Sequence, residues 1–267
     1  MSNIVIASPE LLEAATITAG SEAGGMAASN LKLLPGRGRW RATALGSANL
    51  VVDLGAAFAI NLIALLYTNA TSAATWRIRG ATSEANLTAA PGYDSGNIAH
   101  WPAQTGLGDW AWTHAFKFLT TAQNYQWWRI DITDAANPAG YYQASRLYIA
   151  AAWQPSINIS FGASHGWVDP SEHGRSRAGQ IAVREMNAYR AMNFQLRFQS
   201  EAQLFDNAFR LDRLRGRRRD VLVIRDPDTT TRGMDWCICG IVTDVSPIAH
   251  PAFDIYEKSY RLEELLP

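Results

Sequence analysis

The chain has 267 residues, 48% of them hydrophobic and 18% charged, with equal numbers of basic and acidic side chains. That is enough apolar material for a full core in one large or two ordinary domains, and it excludes a disordered chain. The balance holds on both sides of Ala152, with nine basic and nine acidic residues before it and fifteen of each after it. No whole-chain field therefore exists to draw nucleic acid or an anionic membrane.

No charged-then-apolar leader opens the sequence, and no apolar run nears the ~18 residues that a membrane span needs, so a soluble protein without a membrane span is expected. The first half reads as short strands separated by turn chemistry, the pattern of an all-β sandwich. Expected strands are Asn3–Ala7, Ala15–Ala19, Ala48–Leu54, Asn61–Tyr67, Thr75–Ala81, Ala111–Leu119, Trp127–Thr133 and Ala144–Ala151. Gly24-Gly25, Pro35-Gly36, Pro91-Gly92 and Asn137-Pro138 punctuate them. The sandwich is thus placed at residues 1–152, and Pro155 marks the join, because proline cannot donate to a ladder and restricts the residue before it. Phe161–Gly179, rich in Gly and Ser without periodicity, reads as a linking arm within 153–179.

Residues 180–267 read as a smaller antiparallel α+β domain. Strands are expected at Gln180–Met186, Ala191–Phe198, Val221–Ile224, Trp236–Val245 and Ile255–Leu262. One helix is expected over Glu201–Arg215. Ser200 and Gln203 form a capping box, and Leu204, Phe205, Ala208, Phe209 and Leu214 share a face at helical spacing. Arg213 and Arg215 suit the negative end of the dipole, and Gly216 suits a left-handed stop.

Catalytic chemistry finds little to stand on. Asp53, just before Leu54-Gly55, is the usual capper of a turn. Asp131 and Asp134 flank Ile132-Thr133, but paired-carboxylate catalysis would also require a cleft and a raised pKa. The five histidines are scattered without metal spacing, no Gly-x-Ser-x-Gly elbow is present, and Gly20–Gly25 lacks the lysine of a phosphate loop. The expectation is a non-enzyme with no catalytic residues, no metal and no cofactor. Cys237 and Cys239, two apart on one strand face, are too distant for easy bridging and read as a reduced, buried pair, which suits a protein made in a cytosol. The basic run Arg215 to Arg219 is surrounded by Asp212, Asp220, Asp226 and Asp228, so a salt-bridged helix end or subunit interface is favoured over nucleic acid.

The loop Tyr93–Trp112 stands apart. Trp101, Trp110 and Trp112 lie among Gly, Pro, Asp and Asn, where no core period demands them. Tryptophan beside polar groups stacks on sugar rings or anchors a partner, and the alternative is that these rings plug the open end of the sandwich.

Residues 1 to about 152 resemble the discoidin-type, galactose-binding-like β-sandwich (a jelly roll) as it occurs in bacteriophage tail and baseplate proteins. The motifs that carry this are Ala28-Ser29-Asn30-Leu31, Trp40-Arg41, Val51 to Gly55, Asn69-Ala70-Thr71 before Trp76 to Gly80, Tyr125 to Asp134, and Arg146 to Ile149. The second half is similar to C-terminal regions of phage tail structural proteins in its Phe194 to Phe198 strand, the helix after Glu201, the Asp226-Pro227 turn, Trp236 to Gly240, and Tyr260 to Glu264. The resemblance implies a virion structural protein of a tail tip or baseplate, made in the host bacterial cytoplasm. It would dock on other tail proteins and form a homo-oligomeric ring. The alternative is a carbohydrate-binding module that attaches to host surface glycans through Trp101, Trp110 and Trp112.

Overall fold

β-Branched and aromatic runs become strands along most of the chain in the structure, a computed structural model that describes residues 2–267. In chain order the strands are β1 (Val5–Ala7), β2 (Thr16–Ala19), β3 (Trp40–Arg41), β4 (Asn49–Thr68), β5 (Thr75–Ala81), β6 (Tyr93–Ala99), β7 (Thr113–Thr133), β8 (Gln143–Ala144) and β9 (Arg146–Ala150). They continue as β10 (Ser164–Val168), β11 (Glu172–Arg175), β12 (Ile181–Arg184), β13 (Tyr189–Gln199), β14 (Asp220–Ile224), β15 (Cys237–Val245), β16 (Ala249–Ala252) and β17 (Ile255–Glu264). Helix is sparse. Single turns lie at α1 (Glu10–Ala14) and α2 (Asn86–Ala89), and one longer helix runs from α3 (Glu201–Gln203) through a π-helical stretch, Leu204–Phe209, into α4 (Arg210–Leu214). The chain is mainly β, as expected: a sheet-rich sandwich followed by an antiparallel sheet carrying one helix.

The first sheet has the order β2-β4-β7-β5-β6, with β9 paired to the far half of β4. Two pairs of expected strands prove to be continuous. Ala48–Leu54 and Asn61–Tyr67 merge into the 20-residue β4, and Ala111–Leu119 and Trp127–Thr133 merge into the 21-residue β7. The reason lies at Gly55, whose φ of +79° lets the strand bulge between Asp53 and Phe58 without ending. Asp53 fills the turn role expected of it, since its Oδ1 accepts the Gly55 N–H at 2.8 Å. Beyond the bulge β4 is buried on both faces. Ile63 and Leu65 point into the sandwich core with Trp40, Trp76 and Trp128, while Leu62, Ala64 and Leu66 face the other way. A near-continuous apolar run is the signature of such a doubly covered strand.

What covers that outer face is the second sheet, ordered β1-β14-β15-β17-β13-β10 with β16 on the side of β17. Its strands are two-faced as well. Leu222 and Ile224 of β14, with Cys237 and Cys239 of β15, meet Leu62, Ala64, Tyr148 and Ala150, whereas Val221, Val223 and Ile238 turn toward Leu204 and Ala208 of the helix. Helix, second sheet and sandwich thus form stacked layers around two apolar seams and the sandwich core. Both cysteines are buried and free.

Several expectations change here. The first strand, expected in the sandwich, pairs instead with β14, Val5 opposite Ile224, and its Ile6 exchanges two 2.8 Å backbone bonds with Trp153. Its alternation supplies one face to each seam, Val5 and Ala7 to one and Ile4 and Ile6 to the other, and only the second sheet offers both. Phe161–Gly179 is not all loop. Within it β10 pairs with β13, and β11 forms a hairpin with β12. The helix keeps its cap, because the Ser200 side chain accepts the Gln203 N–H at 3.4 Å. Gln203 does not reach back, however, and its Oε1 accepts the Trp153 indole N–H. The π-helical stretch widens the turn, so Leu204 and Ala208 stay buried while Phe205 and Phe209 turn outward and pack on each other. Arg215, in the basic run read as a salt-bridged helix end or subunit interface, is buried and bonded to Ser8 and Glu13.

A charge pair is buried within the seam between the sheets. Arg146 of β9 grips Asp220 of β14 with two bonds of 2.7 and 2.8 Å, and its third nitrogen donates to the Leu31 carbonyl. Tyr148 donates to the same carboxylate at 2.6 Å. Every strong donor and acceptor is satisfied, which a buried ion pair requires. Asp220→Ala is therefore expected to cost about 3–5 kcal/mol by stranding a buried guanidinium. Replacing both partners, as in Arg146→Met with Asp220→Leu, is expected to cost clearly less. Urea denaturation of the two variants would check the order.

Candidate functional site

The expected carboxylates are occupied in structural work. Asp131 bonds Arg79 and Arg129. Asp134 accepts the Thr71 N–H at 2.9 Å, the Thr71 hydroxyl and the Asn137 amide, closing the turns that follow β4 and β7. Among the described residues no group of three His, Cys, Asp or Glu side chains is placed to hold a metal ion, and no helix is long and apolar enough to cross a membrane.

The Trp loop has a different position from the one its composition suggests. Trp101 packs on the sandwich core and its indole N–H donates to the Ala70 carbonyl at 2.7 Å. Trp112 lies against Tyr67 on the seam between the sheets. The segment between them is bolted to the turn ahead of β15. Gln104 Oε1 accepts the N–H groups of Met234 and Asp235 at 2.9 and 3.0 Å, and the Ala103 carbonyl accepts that of Gly233. A side chain at 233 would come within 2.7 Å of Pro102, so only glycine permits this approach. The three tryptophans share a loop but not a face. Trp101 packs on the sandwich core, Trp112 lies on the seam between the sheets, and Trp110 packs against two residues that line a surface pocket.

That pocket has a volume of about 300 Å³ and is lined by His165, Gly166, Trp167, Arg190, Arg232, Asp235 and Trp236. Trp110 packs on Trp167 at 5.7 Å between ring centres, and the Arg190 guanidinium lies 5.0 Å from the Trp110 ring centre. Trp167, on the edge strand β10, is 61% exposed. Arg190 is held rigid from behind. It is buried, paired with Glu264 through two contacts, and donates to the Met234 carbonyl at 2.6 Å. Arg232 and Asp235 form an exposed pair at 3.2 Å on the rim. Chemically this is an aromatic wall beside fixed and mobile polar groups, suited to holding a flat, partly polar ligand and lacking a nucleophile.

Trp167, Arg190, Arg232 and Asp235 are not among the residues that the sequence marks. Trp167 could have been, since it lies in Phe161–Pro170 among Gly, Ser and Asp, the same setting that marks Trp101 and Trp110. Arg190 opens a strand and carries no local signal. Its partner Glu264 lies 74 residues away.

Two histidines behind the Trp loop are buried and neutral. His100 bonds the Tyr142 hydroxyl at 2.8 Å, and burial pushes its pKa down to about 4. His114 accepts the Tyr67 N–H on Nδ1 at 3.1 Å. Burial first, and then the Arg190 guanidinium, hold its pKa well below the ordinary value.

No known family model matches the chain, and no curated protein matches it. Among solved structures, similar folds include carbohydrate-binding modules. One is the family 32 module of NanJ from Clostridium perfringens in complex with galactose, 18% identical, covering 54% of this chain and 98% of that one at a TM-score of 0.39. A chitosan-binding module from a chitosanase/glucanase of Paenibacillus is 18% identical over 54% of this chain and 97% of its own, at 0.36. A Streptococcus pneumoniae fucose-binding module is 8% identical over 51% and 89%, at 0.37.

Acid should loosen the joint that the Trp loop makes. Both histidines have folded pKa values below the unfolded value of about 6.5, so their contribution to stability is complete above that pH. It is lost as pH falls from about 6.5 toward about 4, the folded value of His100. Asp94, held at about 2 by Arg77, yields only further down. Melting temperature should therefore drop between about pH 7 and 4.5. His100→Gln, which keeps a partner for Tyr142, should flatten the slope in differential scanning calorimetry.

Proposed function

We propose that the protein is a non-catalytic docking protein, a structural subunit that self-associates within a larger assembly. The observation that carries this is the hairpin of β11 and β12. Every residue from Glu172 to Ala188 is solvent-exposed, so this ordered segment is not buried against its own chain. An isolated two-stranded hairpin is marginal in water, and apolar side chains carried on an arm of this kind find their burial on a neighbour. The resemblance of residues 1 to about 152 to sandwiches of phage tail and baseplate proteins supports placing that assembly in a virion tail tip. In that setting the sandwich is a rigid joint and the arm a coupling.

A second reading, carbohydrate recognition, is favoured by Trp167. An exposed indole beside Arg232 and Asp235 matches what a sugar ring needs: an apolar face to stack on and planar polar groups for its hydroxyls. Galactose, chitosan and fucose are what the similar folds named above bind. Here the sugar-facing residues would be Trp110, Trp167, Arg232 and Asp235, with Trp101 and Trp112 in supporting positions.

Sedimentation velocity and electron microscopy of the full chain, with a glycan array alongside, separate the two. The docking reading expects concentration-dependent association into closed particles and an array signal unaffected by the arm. A protein that stays monomeric at the highest attainable concentration, yet binds a glycan and loses it on Trp167→Ala, would reverse the order of the readings.

A further inference from the structure

Two surfaces of the chain are complementary, and the hairpin that carries the first is solvent-exposed along its whole length. The first is one face of the β11–β12 arm. The register sets His173 opposite Val183 and Arg175 opposite Ile181, so these four side chains share a face. Ile181 is 57% and Val183 50% exposed. The opposite face is self-contained, since Arg184 pairs with Glu172. Arg175 makes no ion pair among the described residues, which leaves a cation beside two bare aliphatic side chains.

The second is the groove where the helix passes the bend of β4. It holds about 320 Å³, roughly twice the ~150 Å³ apolar cavity that takes up a benzene molecule. Leu11, Phe58, Trp153 and Leu211 supply apolar wall, and none of them is fully buried. On the helix side stands Asp206, exposed and without an ion pair among the described residues, while Glu10 is taken up by Arg210 at 3.0 Å. An apolar floor with one free acid faces an apolar pair with one free base.

We propose that the arm of one copy of this chain seats in the helix groove of a second copy, Ile181 and Val183 entering the groove and Arg175 meeting Asp206. The contact is head-to-tail: each copy offers an arm and receives one, which builds a ring where the repeated rotation closes and an open filament where it does not. The inference rests on the docking reading and specifies its surface. The occupant is a second copy because both complementary surfaces, matched in polarity and in charge, belong to the same sequence.

Site-directed disulfide trapping on the full chain tests this directly. Cys237 and Cys239 are buried, so an introduced thiol is the reactive one. Chains carrying Val183→Cys and chains carrying Ala59→Cys, a groove position, should cross-link when mixed under mild oxidant and much less when either is alone. The combination Ile181→Asp with Val183→Asp should weaken self-association by at least about a hundredfold, with melting temperature unchanged at concentrations too low for association, since the arm is exposed in its own chain. Arg175→Glu and Asp206→Arg should each weaken it several-fold, and mixing the two variants should recover part of the loss. An oligomer whose dissociation constant is unmoved by the arm substitutions overturns the arm contact and leaves the docking reading standing. Cross-linking of Val183→Cys only to itself also overturns it, in favour of an arm-to-arm contact. A wild-type chain that is monomeric at every concentration overturns both.

Discussion

The architecture depends on the seam between the two sheets, and above all on the salt bridge set into it. Leu62, Ala64, Leu66 and Ala150 on one side, with Val5, Leu222 and Ile224 on the other, form an interface of aliphatic side chains that would tolerate sliding. The Arg146–Asp220 pair does not. Its two bonds, the Leu31 carbonyl and the Tyr148 hydroxyl are satisfied together at a single relative placement of β9 and β14. Burial supplies the attraction between the sheets, and the ion pair selects one geometry from those that burial alone would allow.

A second pin acts from the other end of the same seam. The Tyr67 hydroxyl donates to the carbonyls of Cys239 and Leu265, while its ring packs edge-on against His114. Tyr67 has a φ of +56°, a conformation that L residues rarely adopt, and that backbone persists because hydroxyl and ring are both held. Through His114 and Arg190 this pin leads to the wall of the Trp110–Trp167 pocket. The pocket is therefore built on a rigid backing, while the arm beyond it is free of the frame.

Much of this was legible before any fold was in hand. The β-branched runs, the Ser200 cap, the turn role of Asp53 and the absence of helical periodicity in the first half all express local chemistry, and local chemistry is what a sequence displays. Most of the failures turn on partners distant in the chain. Val5-Ile6-Ala7 reads as a strand, but nothing in it names β14 as its neighbour. The polar stretch Thr120–Gln126 resembles a break because its outward positions carry no core residue, yet β7 runs through it. Phe205 and Phe209 fit a helical face until a π-helical stretch shifts the register by a fraction of a turn. Trp101 and Trp112 stand out in the sequence as unexplained aromatics; Trp101 packs on the sandwich core, and Trp112 on the seam that the second sheet covers.

The first strand has a consequence for how the molecule is made. β1 pairs with β14, more than two hundred residues later, so the second sheet stays open along one edge until β14 has emerged. A contact of such long range is slow to close, and while it waits Val5, Ile6 and Ala7 remain available to any other unpaired strand edge. Under the docking proposal the order of events matters: the strand that seals the frame must find its own chain before the arm finds another.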